Sequence, residues 1–409
     1  MDLRNRLGLY GSYFFGMAGI GFTLPFLPVY LQGEGLSLSQ IGYISTVAAL
    51  VSLLQFPIGI LADRTGWRKP ILVMSLLVLA FASFLLAGSH SAIWLLVLVL
   101  FFAENGICRA MVESLAAAEA ARLAKPGRVG AALGALRFWK PISIVLVAVI
   151  GGWLAERSGV ASILLPLAIL QAIAVAAALL IHENRSGPSA QHQADAAQSY
   201  PPVRRFRMKD RGLIIFVVAM VLFHLANSPG GVYLGLFMKD DLAATHAVMS
   251  YAFVVSMIAW MILVRPAGIL ADRIGRKPIM VAAWLMMTSR LLLVAFAQET
   301  WQVLVFQVLD GAANGLFSVI AGAWVTDRLA DRRRAAEAQV IVGTSLVLGS
   351  ALGPLLAGLI VEALGYRMLF IALAGVGLAA TVLVLRLVPE SVSTRDHNPP
   401  ILEQASVPV

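Results

Sequence analysis

Twelve stretches of mostly apolar residues follow one another along this chain, and each is long enough to cross a bilayer as a helix. A spanning helix needs about 20 such residues. The stretches fall at roughly 7–32, 39–62, 70–88, 92–118, 131–155 and 161–182, and again at 212–238, 246–271, 278–297, 301–326, 338–361 and 366–388. None alternates apolar and polar residues with period two, which excludes a closed β-barrel and leaves the helix as the way to satisfy the backbone in lipid. The expected fold class is therefore an all-α membrane protein. Charged residues make up only 13% of the chain, against about 25% in a soluble domain. The N-terminal MDLRNR has no short apolar region ending in a small-residue cleavage site, so the first stretch reads as a retained helix and not a cleaved signal.

The basic residues set an orientation. One side carries Arg4, Arg6, Arg64, Arg68, Lys69, Arg122, Lys125, Arg128, the 204–211 cluster, Arg273, Arg276, Lys277, Arg328, Arg332, Arg333 and Arg334, whereas the other holds Arg157, Lys239 and Arg367. The positive-inside rule then places both termini and the central loop in the cytoplasm of a multi-pass protein of a bacterial-type inner (plasma) membrane. The net charge of +9 is dispersed in short clusters between apolar runs, a placement suited to a lipid bilayer and not to nucleic acid. One cysteine, Cys108, excludes an internal disulfide and a Cys-cluster metal site. No metal and no cofactor is expected.

The two halves of the chain repeat. PIGILADRTGWRKP at 57–70 matches PAGILADRIGRKP at 266–278, with Trp67 as a one-residue insertion. ARLAKPGR at 121–128 matches DRLADRRR at 327–334, and Glu156 and Gly159 match Glu362 and Gly365. A duplication of six helices in parallel relation divides the chain into a bundle at 1–182, a cytoplasmic linker at 183–211, a second bundle at 212–388 and a disordered cytoplasmic tail at 389–409.

The tandem G-x-L-A-D-R-x-G-R-K pattern between the second and third spans of each half resembles the signature of the major facilitator superfamily, and the resemblance covers essentially the whole chain. It implies two pseudo-symmetric six-helix bundles around a central cavity, working by alternating access as a monomer. It also implies that the motif residues Gly59, Asp63, Arg64, Gly66, Arg68 and Lys69, with Gly268, Asp272, Arg273, Gly275, Arg276 and Lys277, help to hold the cytoplasmic side closed and release it on switching. Physically, a glycine near a helix end lets a neighbour approach closely, and a carboxylate at the membrane edge meets a helix N-terminus or a nearby Arg. The family's drug–proton antiporters carry G-x-x-x-G-P in the fifth span. Here the pattern stands in the eleventh, as Gly349, Gly353 and Pro354, where it is expected to pack against the second.

Charges inside the spans are costly and so point to pairing or function. Arg109 and Glu113 are four apart on one helical face, and with Arg137 and Lys140 of the next span they form an expected inter-helix network. Glu104 lies near the midplane, and the duplication aligns it with Asp310, which has Gln307 and Asn314 on its face. A carboxyl desolvated at that depth loads and unloads a proton near physiological pH, so Glu104 and Asp310 are the candidates for proton coupling. Arg265 beside Pro266 is expected to snorkel, and nothing in the sequence assigns Arg290 a partner. His224, Asn227 and Asn314 are cavity candidates, with a breaker Ser228-Pro229-Gly230-Gly231 after the first two, as are Tyr13 and Tyr30 in the Gly- and Pro-rich first span.

No Walker loop, H-E-x-x-H, cysteine cluster or nucleophile elbow is present, so the chain is not expected to be an enzyme. The expected function is secondary active transport of a small organic solute, by proton-coupled efflux. The alternatives are a proton-coupled uptake symporter for an organic acid or another metabolite, and, from a different class, a non-transporting membrane sensor.

Overall fold

The computed structural model describes residues 3–88, 90–103, 106–124, 129–182, 210–328 and 335–391. These residues are helical, with short turns and no strand among them. The first bundle consists of α1 (Leu3–Thr23 with Leu27–Gly33), α2 (Leu38–Ala62), α3 (Arg68–Leu86), α4 (Ala92–Phe102 with Ile107–Arg122), α5 (Ala132–Ser158) and α6 (Val160–Leu179). The second consists of α7 (Arg211–Asp240), α8 (His246–Ile274), α9 (Arg276–Ala295), α10 (Thr300–Arg328), and α11 and α12, which occupy Ala335–Leu387 on either side of Gly365. Large apolar side chains such as Phe81, Trp94, Ile150, Ile262, Leu359 and Leu378 are exposed around the outside, the surface a lipid-embedded bundle presents.

Among the described residues, nine helices are long and apolar enough to cross a membrane, or ten if the bent first pair is one span. The difference from twelve uninterrupted spans has local causes. α1 bends by 52° between Thr23 and Leu27, where Pro25 and Pro28 remove backbone donors. α4 is described in two pieces, Ala92–Phe102 and Ile107–Arg122, and Glu104 and Asn105 lie outside the described residues. α11 and α12 run together through Gly365 at φ 82°. Gly66 and Gly275 of the repeated motif, and Gly159 and Gly365 of the matched turns, all have positive φ, a region costly for any side chain. The duplication is thus visible in the backbone as well as in the residues.

α7 departs from expectation. The run Ser228 to Gly231 does not break it, and the helix continues from Arg211 through Pro229 to Asp240. The hydroxyl of Ser228 bonds the carbonyl of Ser350 on α11 at 3.3 Å, the kind of neighbouring support that lets a proline stay inside a membrane helix.

Within the bundles, α6 packs on α1 and α3, α8 on α10, and α9 on α10 and α12; between them, α2 packs on α11, α5 on α8 and the second part of α1 on α7. Small residues set these approaches. A Cβ on Gly152 would stand 2.5 Å from Ser250 Oγ across the α5–α8 seam, and one on Gly235 would stand 2.9 Å from the Pro25 carbonyl. The G-x-x-x-G-P segment divides its contacts. Gly349 and Gly353 lie against α7, at Val221, His224, Leu225 and Pro229, while the Pro354 carbonyl lies against Gly42 of α2.

Hydrogen bonds between the bundles gather on the face opposite the repeated motif. Ser39 N–H donates to Glu362 at 2.9 Å, His246 N–H to Glu156 at 2.9 Å and Tyr233 to the Leu38 carbonyl at 2.9 Å. Gln32 donates to Asp240 at 2.8 Å and accepts from Lys239 at 2.7 Å. On the motif face, a Cβ on Gly59 or Gly134 would meet nothing within 4 Å. Of the linker 183–211, residues 183–209 lie outside the described residues, and Asp210 caps α7 by accepting from Gly212 N–H at 2.8 Å. Burial pushes the Asp210 carboxyl up, but hydrogen bonds from Arg328 and from backbone N–H groups outweigh it and hold the carboxyl below the usual aspartate range. Of the segment 389–409, residues 389–391 are seated on the second bundle, and the rest lies outside the described residues. Glu390 accepts from the N–H groups of Arg276 and Lys277 at 2.9 and 3.0 Å, and Trp324 donates to the Pro389 carbonyl at 3.0 Å.

Candidate functional site

A cavity of about 660 Å³ lies between the bundles. Its walls are mostly apolar, with Ile20, Leu24, Leu27, Phe253, Met257 and Trp260 among them. Among the described residues, five charged side chains also line it: Glu113, Arg137 and Lys140 from the first bundle, and Arg290 and Asp310 from the second. Each bundle therefore contributes one carboxylate among the described residues, and the two are held differently.

On the first bundle, α4 brings Glu113 against α1 and α5. Tyr13 donates to Glu113 Oε1 at 2.8 Å, and Lys140 Nζ donates to Oε2 at 2.8 Å. Glu113 and Lys140 are each about one-third exposed at 33% and 35%. Arg109, four residues before Glu113, is buried and turns toward α1, donating from Nη1 to the Gly16 carbonyl at 3.0 Å with its guanidinium against Gly19. Of the expected network, Glu113 and Lys140 form the direct pair, while Arg137 is exposed beside them on the cavity wall. Helical spacing put Arg109 and Glu113 on one face, but the acceptor on α1 and the ammonium on α5 decided which partner each takes.

On the second bundle, Asp310 of α10 faces α8 and α9. Ser256 donates to its Oδ2 at 2.5 Å, and Arg290 Nη2 stands 3.7 Å from Oδ1. Arg290 thus has a counter-ion, though at a separation too long for a direct hydrogen bond. Its side chain is only 2% exposed, that of Asp310 16%. Along the same face, Asn314 donates to the Asp310 carbonyl at 2.9 Å, and Asn227 of α7 donates to Asn314 at 3.0 Å. His224 is buried, with its ring edge-on to Phe223 and Phe317.

His224, Asn227 and Asn314 line the cavity, as expected. Tyr13 and Tyr30 stand behind its wall instead, because each phenol is committed to a partner: Tyr13 to Glu113, and Tyr30 to the Leu86 carbonyl at 2.5 Å. Glu104 lies outside the described residues, as do the side chains of Asp63 and Arg265. In the second motif, Arg276 bonds Asp272 and reaches Asp327 at 3.3 Å, so Asp272 meets an Arg of its own loop. In the first, Lys69 donates to the carbonyls of Leu179 and Ile181 at 3.0 and 2.7 Å. Arg64 and Arg273 are exposed, and Arg68 is half-buried. Sequence reading missed Ser256. A lone serine in an apolar span gives no signal of its own, because hydroxyls in membrane helices commonly bond their own backbone.

Two bundles of membrane helices, a repeated motif on one face and a charged cavity between them define a polytopic transporter. The chain belongs to the MFS_1 like family, whose pattern it matches over residues 7–372. It is 27% identical over 383 residues to an uncharacterized MFS-type transporter of Mycobacterium tuberculosis, covering 90% of each chain. It is 25% identical over 380 residues to the multi-drug resistance efflux pump PmrA of Streptococcus pneumoniae, covering 90% of this chain and 91% of that one. The crystal structure of the nucleoside transporter NupG superposes with a TM-score of 0.77 at 18% identity, over 95% of this chain and 99% of that one. That likeness is one of fold.

Proposed function

We propose that this protein is a secondary active transporter that carries a small organic solute by alternating access and couples its movement to protons, in the direction of efflux. The observation that carries the reading is Asp310, a carboxylate on the wall of the central cavity, held by one serine hydroxyl and a guanidinium 3.7 Å away. Loss of the Arg290 partnership on protonation ties the charge of the site to the helices α8, α9 and α10 that carry it. Efflux is supported by the relative named as an efflux pump. The clustering of inter-bundle bonds opposite the motif supports the reading that this conformation opens toward the motif face. The basic loops support placing that face in the cytoplasm of an inner membrane, with both termini there, and a monomer contains the whole cavity. Substrate binds between the two bundles, 1–182 and 212–388, and the motif residues latch the cytoplasmic side when it closes.

A second reading, uptake of an organic acid with protons, is favoured by the charge of the cavity wall, where among the described residues three cations (Arg137, Lys140, Arg290) face two carboxylates (Glu113, Asp310).

The test uses purified protein in proteoliposomes with an internal pH dye, challenged with organic acids, sugars and cationic drugs. A solute-induced proton flux that Asp310→Asn abolishes, with solute counterflow retained, is the expected result. Driven transport unchanged in that variant removes Asp310 from the mechanism.

A further inference from the structure

The second bundle's side of the cavity contains polar atoms that the fold leaves unmet. Nε and Nη1 of Arg290, Nε2 of Gln307, Nε2 of His224 and Oδ1 of Asn227 are buried and have no hydrogen-bond partner among the described residues. The four side chains come from three helices, α7, α9 and α10, and all line the cavity. Arg290, Gln307 and His224 are only 2%, 1% and 7% exposed. A buried polar group without a partner is costly, and a charged one more so, so a cluster of them beside an open cavity has the character of a site waiting for a ligand.

The chemistry of the ligand follows from the unmet atoms. Arg290 and Gln307 supply donors, and a guanidinium never loses its charge. The side of Arg290 toward α7 is Gly230, where a Cβ would stand 2.5 Å from Nη1. The backbone therefore comes close enough to hold the guanidinium in place. Opposite these donors, the first bundle contributes the apolar wall of Ile20, Leu24 and Leu27. The matching solute has one anionic head with several acceptor oxygens and an apolar body.

We propose that Arg290, with Gln307 and His224, forms an anion subsite that seats the carboxylate or other anionic head of an amphiphilic monoanion, and that the seated anion competes with Asp310 for the Arg290 guanidinium. This rests on the second reading given above, co-transport of an organic acid with protons, and names the solute class of the same cavity. The competition has a thermodynamic consequence. An anion that draws Arg290 away from Asp310 raises the proton affinity of that carboxylate, so anion and proton load together. Co-loading corresponds to the co-transport reading and not to exchange. The groups facing Asp310 are Ser256 from α8, Arg290 from α9 and His224 from α7, with Glu113, Arg137 and Lys140 across the cavity. α11 lines the same cavity with Leu346, Ser350 and Pro354, none of which titrates.

The experiment is calorimetric binding to the full chain in nanodiscs. The probe is hexanesulfonate, which stays anionic at every pH, with hexanol and hexyltrimethylammonium as neutral and cationic counterparts of the same chain length. The sulfonate is expected to bind at least about tenfold tighter than either counterpart. It should take up close to one proton per molecule bound, read from buffers of different ionisation enthalpy. Arg290→Gln is expected to lose about tenfold or more in affinity, and Gln307→Met, which preserves volume, a few-fold. Asp310→Asn should bind more tightly and without proton uptake. Equal affinity for sulfonate and ammonium, or sulfonate binding unchanged in both Gln307→Met and a folded Arg290→Gln, overturns the subsite. Binding without proton uptake in the wild type overturns the competition. A failed subsite accompanied by proton flux with a cationic solute in proteoliposomes leaves the transport reading standing, so the two failures are told apart.

Discussion

Among the described residues, each bundle places a carboxylate on the cavity wall and buries an arginine, and the two pairs are held in opposite ways: Arg290 lines the cavity, and Arg109 turns to α1. In the first, Glu113 is held by Tyr13 and Lys140, both at 2.8 Å, and Arg109 is seated on the Gly16 carbonyl. In the second, Asp310 has one serine bond and an arginine at 3.7 Å, and that arginine keeps two buried nitrogens without partners. A satisfied network resists change, because any rearrangement exposes a charge. A partly satisfied one changes state at small cost when a proton or ligand arrives. The two clusters are not copies of one another, since the duplication aligns Asp310 with Glu104; on the transport reading proposed above, the first acts as a clamp and the second as the responsive site.

The sharpest way to break this comparison is to neutralise both carboxylates in turn. Asp310→Asn is expected to reduce proton-driven transport by at least about 100-fold while leaving counterflow. Glu113→Gln is expected to reduce both modes together by only a few-fold. Equal losses of the driven mode in the two variants would make the bundles equivalent.

A smaller effect separates the two arginines. An alanine at Gly19 runs into the Arg109 guanidinium, and one at Gly230 stands 2.5 Å from Arg290 Nη1. Gly19→Ala is expected to lower stability by about 1–3 kcal/mol, because Arg109 must leave its carbonyl acceptor. Gly230→Ala moves an arginine that is already incompletely bonded, and should weaken transport more than it lowers the melting temperature. Stability losses of the same size in both would blur the distinction.

Smaller again is the stability cost of Glu113→Gln, on the order of 1 kcal/mol, since water already reaches a pair that is one-third exposed. The double variant with Lys140→Met should recover much of it in thermal melts, as a clamp predicts and a titrating site does not.

The smallest effect lies at the bundle's edge. Asp210, held low by Arg328 and backbone donors, stabilises the fold fully above the unfolded aspartate value of about 3.9 and ceases to do so as pH falls through its lower folded value. Asp210→Asn should cost on the order of 0.5 kcal/mol near neutrality and nothing in strong acid, measured by melts across pH.

Much of the architecture was legible in the residues. The apolar stretches, the basic loops and the tandem motif have physical signatures that are local, so they survive without coordinates. The repeat could even be followed to single glycines, since Gly66 and Gly275 occupy backbone conformations that other residues avoid. Pairing was less legible. Arg290 had no sequence neighbour to mark its partner, yet Asp310 is the carboxylate left over among the second bundle's spans, and elimination alone would have joined them. Tyr13 looked like a cavity residue because an aromatic hydroxyl in a span suggests a lining role; its hydroxyl is instead used to hold Glu113 behind the wall.

The sequence by itself determined that this chain spans a membrane as helices, that it is built twice, and which residues carry charge into the lipid, because each of these is a matter of composition and period along one chain. The tertiary structure decided which charge meets which, that α7 continues through Pro229, and which buried polar atoms line the cavity without a partner. Those outcomes depend on distances between helices far apart in sequence, where a few tenths of an ångström separate a hydrogen bond from a contact that water, a proton or a solute must complete.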